Sequence, residues 1–190
     1  FTTIRRTMSV KTFTTEVLTS ADTNTYLANS GLVYVTSATI GSGVSSVTVS
    51  SAFSSTYDNY KIIVAGGTAS ASADNLGLGL GSTTTGYRNS LIGVTAAGAS
   101  SVSYDNNTNT RWIWAGGIDT TGVLGNIELF NPFLSLATFA DMNMVRAGAN
   151  GHWKTFGTLA NTTSYTAFTI TPGSGTLTGG TITVYGYRKA

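Results

Sequence analysis

GGTITVYGYRKA, residues 179–190, puts Ile182, Val184 and Gly186 on one side of an extended chain and Thr181, Thr183, Tyr185 and Tyr187 on the other. A glycine pair opens this strand and two cations, Arg188 and Lys189, stop it. The same period of two runs backwards through the chain. GLVYVTS (31–37) and VSSVTVSSAF (44–53) alternate apolar with hydroxyl residues. YDNYKIIVAGG (57–67) sets Ile62 and Val64 opposite Ile63 and ends in a glycine turn. NLGLGLGS (75–82) places Leu76, Leu78 and Leu80 on one face and Gly77, Gly79 and Gly81 on the other.

GYRNSLIGV, TRWIWAGG, GNIELFNPF, HWKTFG and SYTAFTITPGSG read as further short strands with glycine or Asn-Pro boundaries. The apolar segment Leu134–Arg146 fits either a helix of about three turns or a strand. Eight to ten short strands with frequent turn signals predict an all-β sandwich or barrel. The alternating glycines of residues 77–81 lie inside a strand, so they do not form a phosphate loop opening a helix. They mark a close approach, with Tyr60, Trp112, Trp114 or Trp153 as candidates to cover them.

Composition agrees. Of 190 residues, 41% are hydrophobic, enough for a core, whereas charged residues make up 9% against the usual quarter. Net charge is +2: Arg5, Arg6 and Lys11 sit at the front, Arg188 and Lys189 at the end, and the body between is close to neutral. No basic face of the kind that binds nucleic acid runs through the body. There is no cysteine, so disulfides and thiolate metal sites are excluded. No apolar run is long enough to cross a bilayer as a helix.

Residues 1–16 read as an extended arm, with Met8 as a second candidate start beside Phe1. VLTSADTNTYLANSG (17–31) predicts a short helix capped by Thr19 or Ser20 and closed by Gly31. A helix this short is marginal alone and is expected to dock. The domain reading is therefore an arm and docking helix over residues 1–31 and a β-sandwich over residues 32–190. Arg5, Arg6, Lys11, Leu18, Tyr26 and Leu27 are the candidate docking residues.

Four stretches, in order, resemble phage virion appendage proteins. VLTSADTNTYLANSGLVYV (17–35) resembles the short helix and first strand that open many small tail and virion proteins. TYDNYKIIVAGG, GNIELFNPF and GTLTGGTITVYGYRKA follow in the order found in phage appendage jelly-roll domains. The resemblance spans roughly residues 17–187 and implies a jelly-roll-like antiparallel β-sandwich on a virion, such as a tail fibre, capsid fibre or decoration protein. It also implies a homotrimer, assembled in the bacterial host cytoplasm, that contacts a capsid or tail protein. It supplies no catalytic residues. The sequence departs from the family in its apolar segment around Leu134–Arg146.

Site chemistry is sparse. His152 is the sole histidine, and no nucleophile elbow accompanies it. Asp119 and Glu128 are a carboxylate pair that could converge across one hairpin, as a polysaccharide-degrading hydrolase requires. YDNNTN (104–109) offers oxygen donors to a calcium ion, or is a plain turn. Trp112, Trp114, Trp153, Tyr185 and Tyr187 are candidates for core, subunit interface or glycan platform. The expectation is a non-enzymatic virion structural protein without cofactor or metal, assembled from identical subunits. A receptor-binding tip for host cell-surface glycan is the alternative, and the hydrolase a second one.

Overall fold

In the computed structural model, which describes residues 31–95, 97–146 and 151–189, the period-two segments become strands. In chain order they are β1 (Leu32–Thr39), β2 (Val47–Val49), β3 (Asn59–Ala65), β4 (Thr68–Ala69), β5 (Asp74–Leu80), β6 (Tyr87–Thr95) and β7 (Ser100–Asn106). There follow β8 (Trp112–Asp119), β9 (Gly122–Phe130), β10 (Thr138–Arg146), β11 (Gly151–Leu159), β12 (Phe168–Pro172), β13 (Leu177–Thr178) and β14 (Thr181–Tyr187). Every pairing is antiparallel, and no helix occurs among the described residues. The arm and helix expected over residues 1–30 lie outside the described residues.

Twelve strands form one sheet that branches at β9; β4 and β13 form a separate pair. One edge of β9 takes β3 over Leu124–Phe130. Its other edge takes β8 over Gly122–Leu124 and then β10 over Asn126–Phe130. The sheet divides there into a layer of eight, β1-β14-β3-β9-β10-β11-β6-β7, and a layer of four, β2-β12-β5-β8. Both layers feed one core. Tyr60, Ile62, Val64, Ile127, Leu129, Ile182 and Val184 from the first meet Leu76, Leu78, Leu80, Phe168 and Ile170 from the second, all fully buried. This all-β arrangement, with two layers around a shared core, is sandwich-like.

The pairing of eight strands is nested. β1 pairs with β14, β2 with β12, β3 with β9 and β5 with β8, so the first strand meets the last and the pairs close inward. The hairpins β6–β7 and β10–β11 widen only the larger layer. β14 lies between β1 and β3, so both its edges are satisfied. Its Ile182 and Val184 face the core as the alternation predicts. Thr138–Arg146, left between helix and strand by sequence, is β10: β9 and β11 supply partners on both its edges, and the apolar Ala140, Met142 and Met144 all turn inward.

Two local features depart from simple alternation. Between Leu76 and Leu78 of β5 the facing β8 advances from Gly116 to Trp112, a bulge that carries two extra residues. Trp112 and Ala115 therefore both enter the main core, and Trp114 joins a smaller cluster with Leu91, Met144 and Trp153. The bare face of β5 is covered differently from the sequence expectation. A Cβ at Gly77 would collide with the stem of Arg111, so an arginine lies across Gly77 and Gly79, while Gly81 meets the ring of Tyr165, which was not among the expected aromatics.

Candidate functional site

The outward side of the eight-stranded layer is the least ordinary surface of the molecule. Strand parity places Ile92 and Val94 of β6, Val102 and Tyr104 of β7, Phe156 of β11, Phe139 of β10, and Leu124 and Phe130 of β9 on it. Leu32 and Tyr34 of β1 continue it beside Tyr187 and Tyr185. Eleven large hydrophobic side chains are exposed among the described residues, and all but Leu136 belong to this face. Val102 is 80% exposed, Tyr104 79% and Tyr34 60%. Scattered exposed apolar residues are ordinary, but a contiguous set marks a contact surface.

The ion pairs of the face gather in its middle, and Arg88 of β6 adds an exposed cation at the β6–β7 end, its Nε donating to Asn106 Oδ1 at 2.7 Å. Lys61, Glu128 and Asp141 lie side by side on β3, β9 and β10, and Lys154 of β11 reaches Asp141 diagonally. Lys61 Nζ donates to Glu128 Oε1 at 2.5 Å, and Lys154 pairs with Asp141. The Tyr187 hydroxyl donates to Glu128 Oε2. Burial, followed by this carboxylate, pushes the Tyr187 phenol up to about 12. The exposed apolar side chains run across the whole layer: Ile92, Val94, Val102 and Tyr104 on β6 and β7, Phe156, Phe139, Phe130 and Leu124 on the strands between, and Leu32 and Tyr34 on β1, where the Tyr34 and Tyr185 rings meet edge to face at 6.3 Å.

The aromatic residues marked from sequence do not form one platform. Trp112 is fully buried in the core, its ring edge-to-face with Tyr87 at 5.2 Å. Its Nε1 donates to the carbonyls of Arg88 at 3.2 Å and Thr158 at 3.3 Å. Gly157 makes room for that indole: a Cβ there would stand 2.7 Å from Nε1. Trp153 is buried, with the Arg146 guanidinium 5.2 Å from its ring centre, and Trp114 is half-buried beside it. Tyr185 and Tyr187 are half-buried on the outward face, on the other side of the layer from Trp153. Arg5, Arg6, Lys11, Leu18, Tyr26 and Leu27 lie outside the described residues.

Asp119 and Glu128 do not converge. Asp119 faces Gly122 across the hairpin, six residues along β9 from Glu128, or about 20 Å at the usual strand rise. Asp119 instead fastens the segment at Ser72 and Ala73. Its Oδ2 accepts the Ala73 N–H at 3.0 Å and the Ser72 hydroxyl at 3.2 Å, while Oδ1 accepts from Thr120 and Thr121. The Ala73 N–H foremost, helped by the other donors against the effect of burial, holds its carboxyl down at about 2.

Asp105 closes a turn, accepting the Thr108 N–H at 3.2 Å together with the Thr108 hydroxyl. His152 is exposed on β11 between Val145 and Val94. Among the described residues, no three His, Asp or Glu side chains gather in a metal-binding group, and no helix is long and apolar enough to cross a membrane.

Sequence reasoning passed over Ile92, Val94, Val102, Tyr104, Phe139 and Phe156. A signal was available in strands apolar on both sides. Leu91 is buried while its neighbour Ile92 is exposed, and Trp153 is buried while Phe156 of the same strand is exposed. No family model matches this chain, and no curated protein matches it.

Proposed function

We propose that this chain is a bacteriophage virion structural protein, a capsid decoration or fibre subunit that assembles with identical copies and attaches to the particle through its N-terminal segment. The observation that carries the reading is the broad apolar face of a twelve-stranded β-structure in which the described acids serve turns or ion pairs. A face of this kind suits packing against protein, and its neighbouring carboxylates Glu128 and Asp141 are each held by a lysine. The order of the motifs in residues 17–187 supports the viral assignment. We take the fold to be jelly-roll-like, because nested pairing of eight strands in two layers is what a long hairpin gives when it rolls into a sandwich. The mechanism is mechanical. Low charge lets copies approach closely, and hydrophobic burial holds them together.

The test is to purify infectious particles from lysate by density gradient and identify their proteins by mass spectrometry, with a labelled antibody locating this chain in particle images. Stoichiometric presence at a symmetric position on capsid or tail is expected. Absence from purified particles overturns the reading.

A further inference from the structure

We infer that the hollow around Ser90, at the β6–β7 end of the outward face, binds an acidic saccharide: a sugar ring that carries a carboxylate. The inference goes beyond the structural role proposed above and does not rest on it.

Three neighbouring strands build the site. Their outward positions meet row by row. Asn106 of β7, Arg88 of β6 and Thr158 of β11 form one row, and Tyr104, Ser90 and Phe156 form the next. Ser90 is small, so the second row dips between two exposed aromatic side chains. The hollow measures about 250 Å³ and is lined by Arg88, Ser90, Asn106, Phe156 and Thr158. Asn89 and Asp105 edge it as well, but strand parity turns their side chains to the inner side, where both are buried. Lys154 Nζ stands 5.8 Å from the centre of the Phe156 ring without lining the hollow. The lysine therefore covers one side of the ring, and the hollow borders another.

The lining selects the ligand in three ways. First, Arg88 has no carboxylate partner among the described residues, whereas Lys61 and Lys154 on the same face are each paired. Asn106 holds the Arg88 Nε, which fixes the side chain and leaves its terminal nitrogens to a ligand. That planar fork matches a carboxylate through parallel hydrogen bonds. Second, Phe156 sets an apolar ring beside the cation. A sugar ring has the matching split surface, with C–H faces that pack on an aromatic ring and hydroxyls around the rim. Third, the Ser90 and Thr158 hydroxyls and the Asn106 amide are short neutral groups that both donate and accept, as sugar hydroxyls require.

Other occupants use only part of this set. Free phosphate leaves the ring unused. An apolar protein surface would desolvate the Arg88 fork without pairing it, which is costly. A nucleic acid strand needs a track of cations, and Lys61 and Lys154 are already neutralised. The hollow is open and smaller than the usual pocket for a drug-sized ligand, which suits one ring of a longer chain that runs on into solvent. It lies at a corner of the face. Asn106 is about 13 Å along β7 from Val102, so protein contact made elsewhere on the face need not cover it.

The test uses the full chain and ligand-observed saturation-transfer NMR. Methyl β-glucuronide and the methyl glycoside of N-acetylneuraminic acid are the acidic probes, and methyl β-glucoside is the neutral match. At least one acidic probe should bind in the millimolar range. The glucoside should bind about tenfold more weakly, the usual worth of a charge-assisted hydrogen bond. Arg88→Gln should reduce the acidic probe to the level of the glucoside. Phe156→Leu should weaken the acidic probe although the arginine is intact. Both side chains are exposed, so the variants should keep β-type circular dichroism; should one unfold, the acidic and neutral sugars compared on wild type still decide. No binding of either acidic probe, equal binding of the glucoside, or wild-type affinity in either folded variant overturns the inference. So does tighter binding of an oligothymidylate, which would assign the hollow to nucleic acid. Acidic-sugar binding by a protein absent from purified particles would keep the inference and sink the virion reading. Particles that carry the chain, with neither acidic probe bound by it, would do the reverse.

Discussion

The two layers share one core but turn very different surfaces outward. The four-stranded layer shows Thr48 and Thr169, whose hydroxyls bond each other at 2.9 Å, Thr171, and glycines shielded by Arg111. None of the large exposed apolar side chains belongs to it. The eight-stranded layer shows valine, isoleucine, phenylalanine and tyrosine. Both surfaces are sheet faces built at the same period, so the fold does not require the contrast. Threonine packs well on a pleated, wet face. Val102 at 80% exposure gains nothing from water. On the proposed function, the difference separates a solvent face from a contact face.

The largest expected effect concerns the core that both layers share. Trp112→Ala should cost about 3–5 kcal/mol, the usual loss for a buried Trp, and lower Tm sharply in a thermal melt. If the loss is under about 1 kcal/mol, the two layers are not joined through this indole. Gly157→Ala attacks the same contact from the other side. Overpacking of this kind costs about 1–3 kcal/mol, read in the same melt.

On the contact face, Tyr187→Phe removes the hydrogen bond to Glu128 and should cost about 1 kcal/mol at neutral pH by urea titration. The phenol is raised from 10.0 to about 12, so its stabilising contribution is complete below pH 10 and lost between pH 10 and 12. The melting-point gap between wild type and the phenylalanine variant should narrow across that window. At the acid end Asp119 behaves oppositely. Its carboxyl is lowered from 3.8 to about 2, so its contribution is complete above pH 3.8 and disappears as pH falls through about 2. Asp119→Asn should be less stable than wild type at pH 5, and the two should converge near pH 2; a constant gap would mean that the turn does not depend on the charge. The smallest effect belongs to the wet face. Thr48→Lys should change stability by no more than about 0.5 kcal/mol and leave association untouched.

Much of this was legible in the chain. β14, β3 and β5 follow directly from alternation, because each has one clearly apolar side facing the core. β7 was not legible as a strand. Ser101 and Ser103 on its inner side carry no apolar signal, and its pairing depends on β6 alone. The bulge in β8 was likewise hidden: simple parity groups Ala115 with Ile113, whereas two extra residues bring Ala115 into the core with Trp112. Tryptophan identity also misled the search for a site. All three indoles serve packing, and the exposed face is built from smaller residues whose adjacency exists only after β6, β7, β10 and β11 pair.

The most direct measurement compares the two faces by thiol labelling in the assembled full chain, using Val102→Cys for one and Thr48→Cys for the other. With no native cysteine, each variant reports one position. Thr48→Cys should react at the rate of a free thiol, and Val102→Cys should be protected at least tenfold until dilution separates the copies. Equal, rapid labelling of both positions at high concentration would contradict the account.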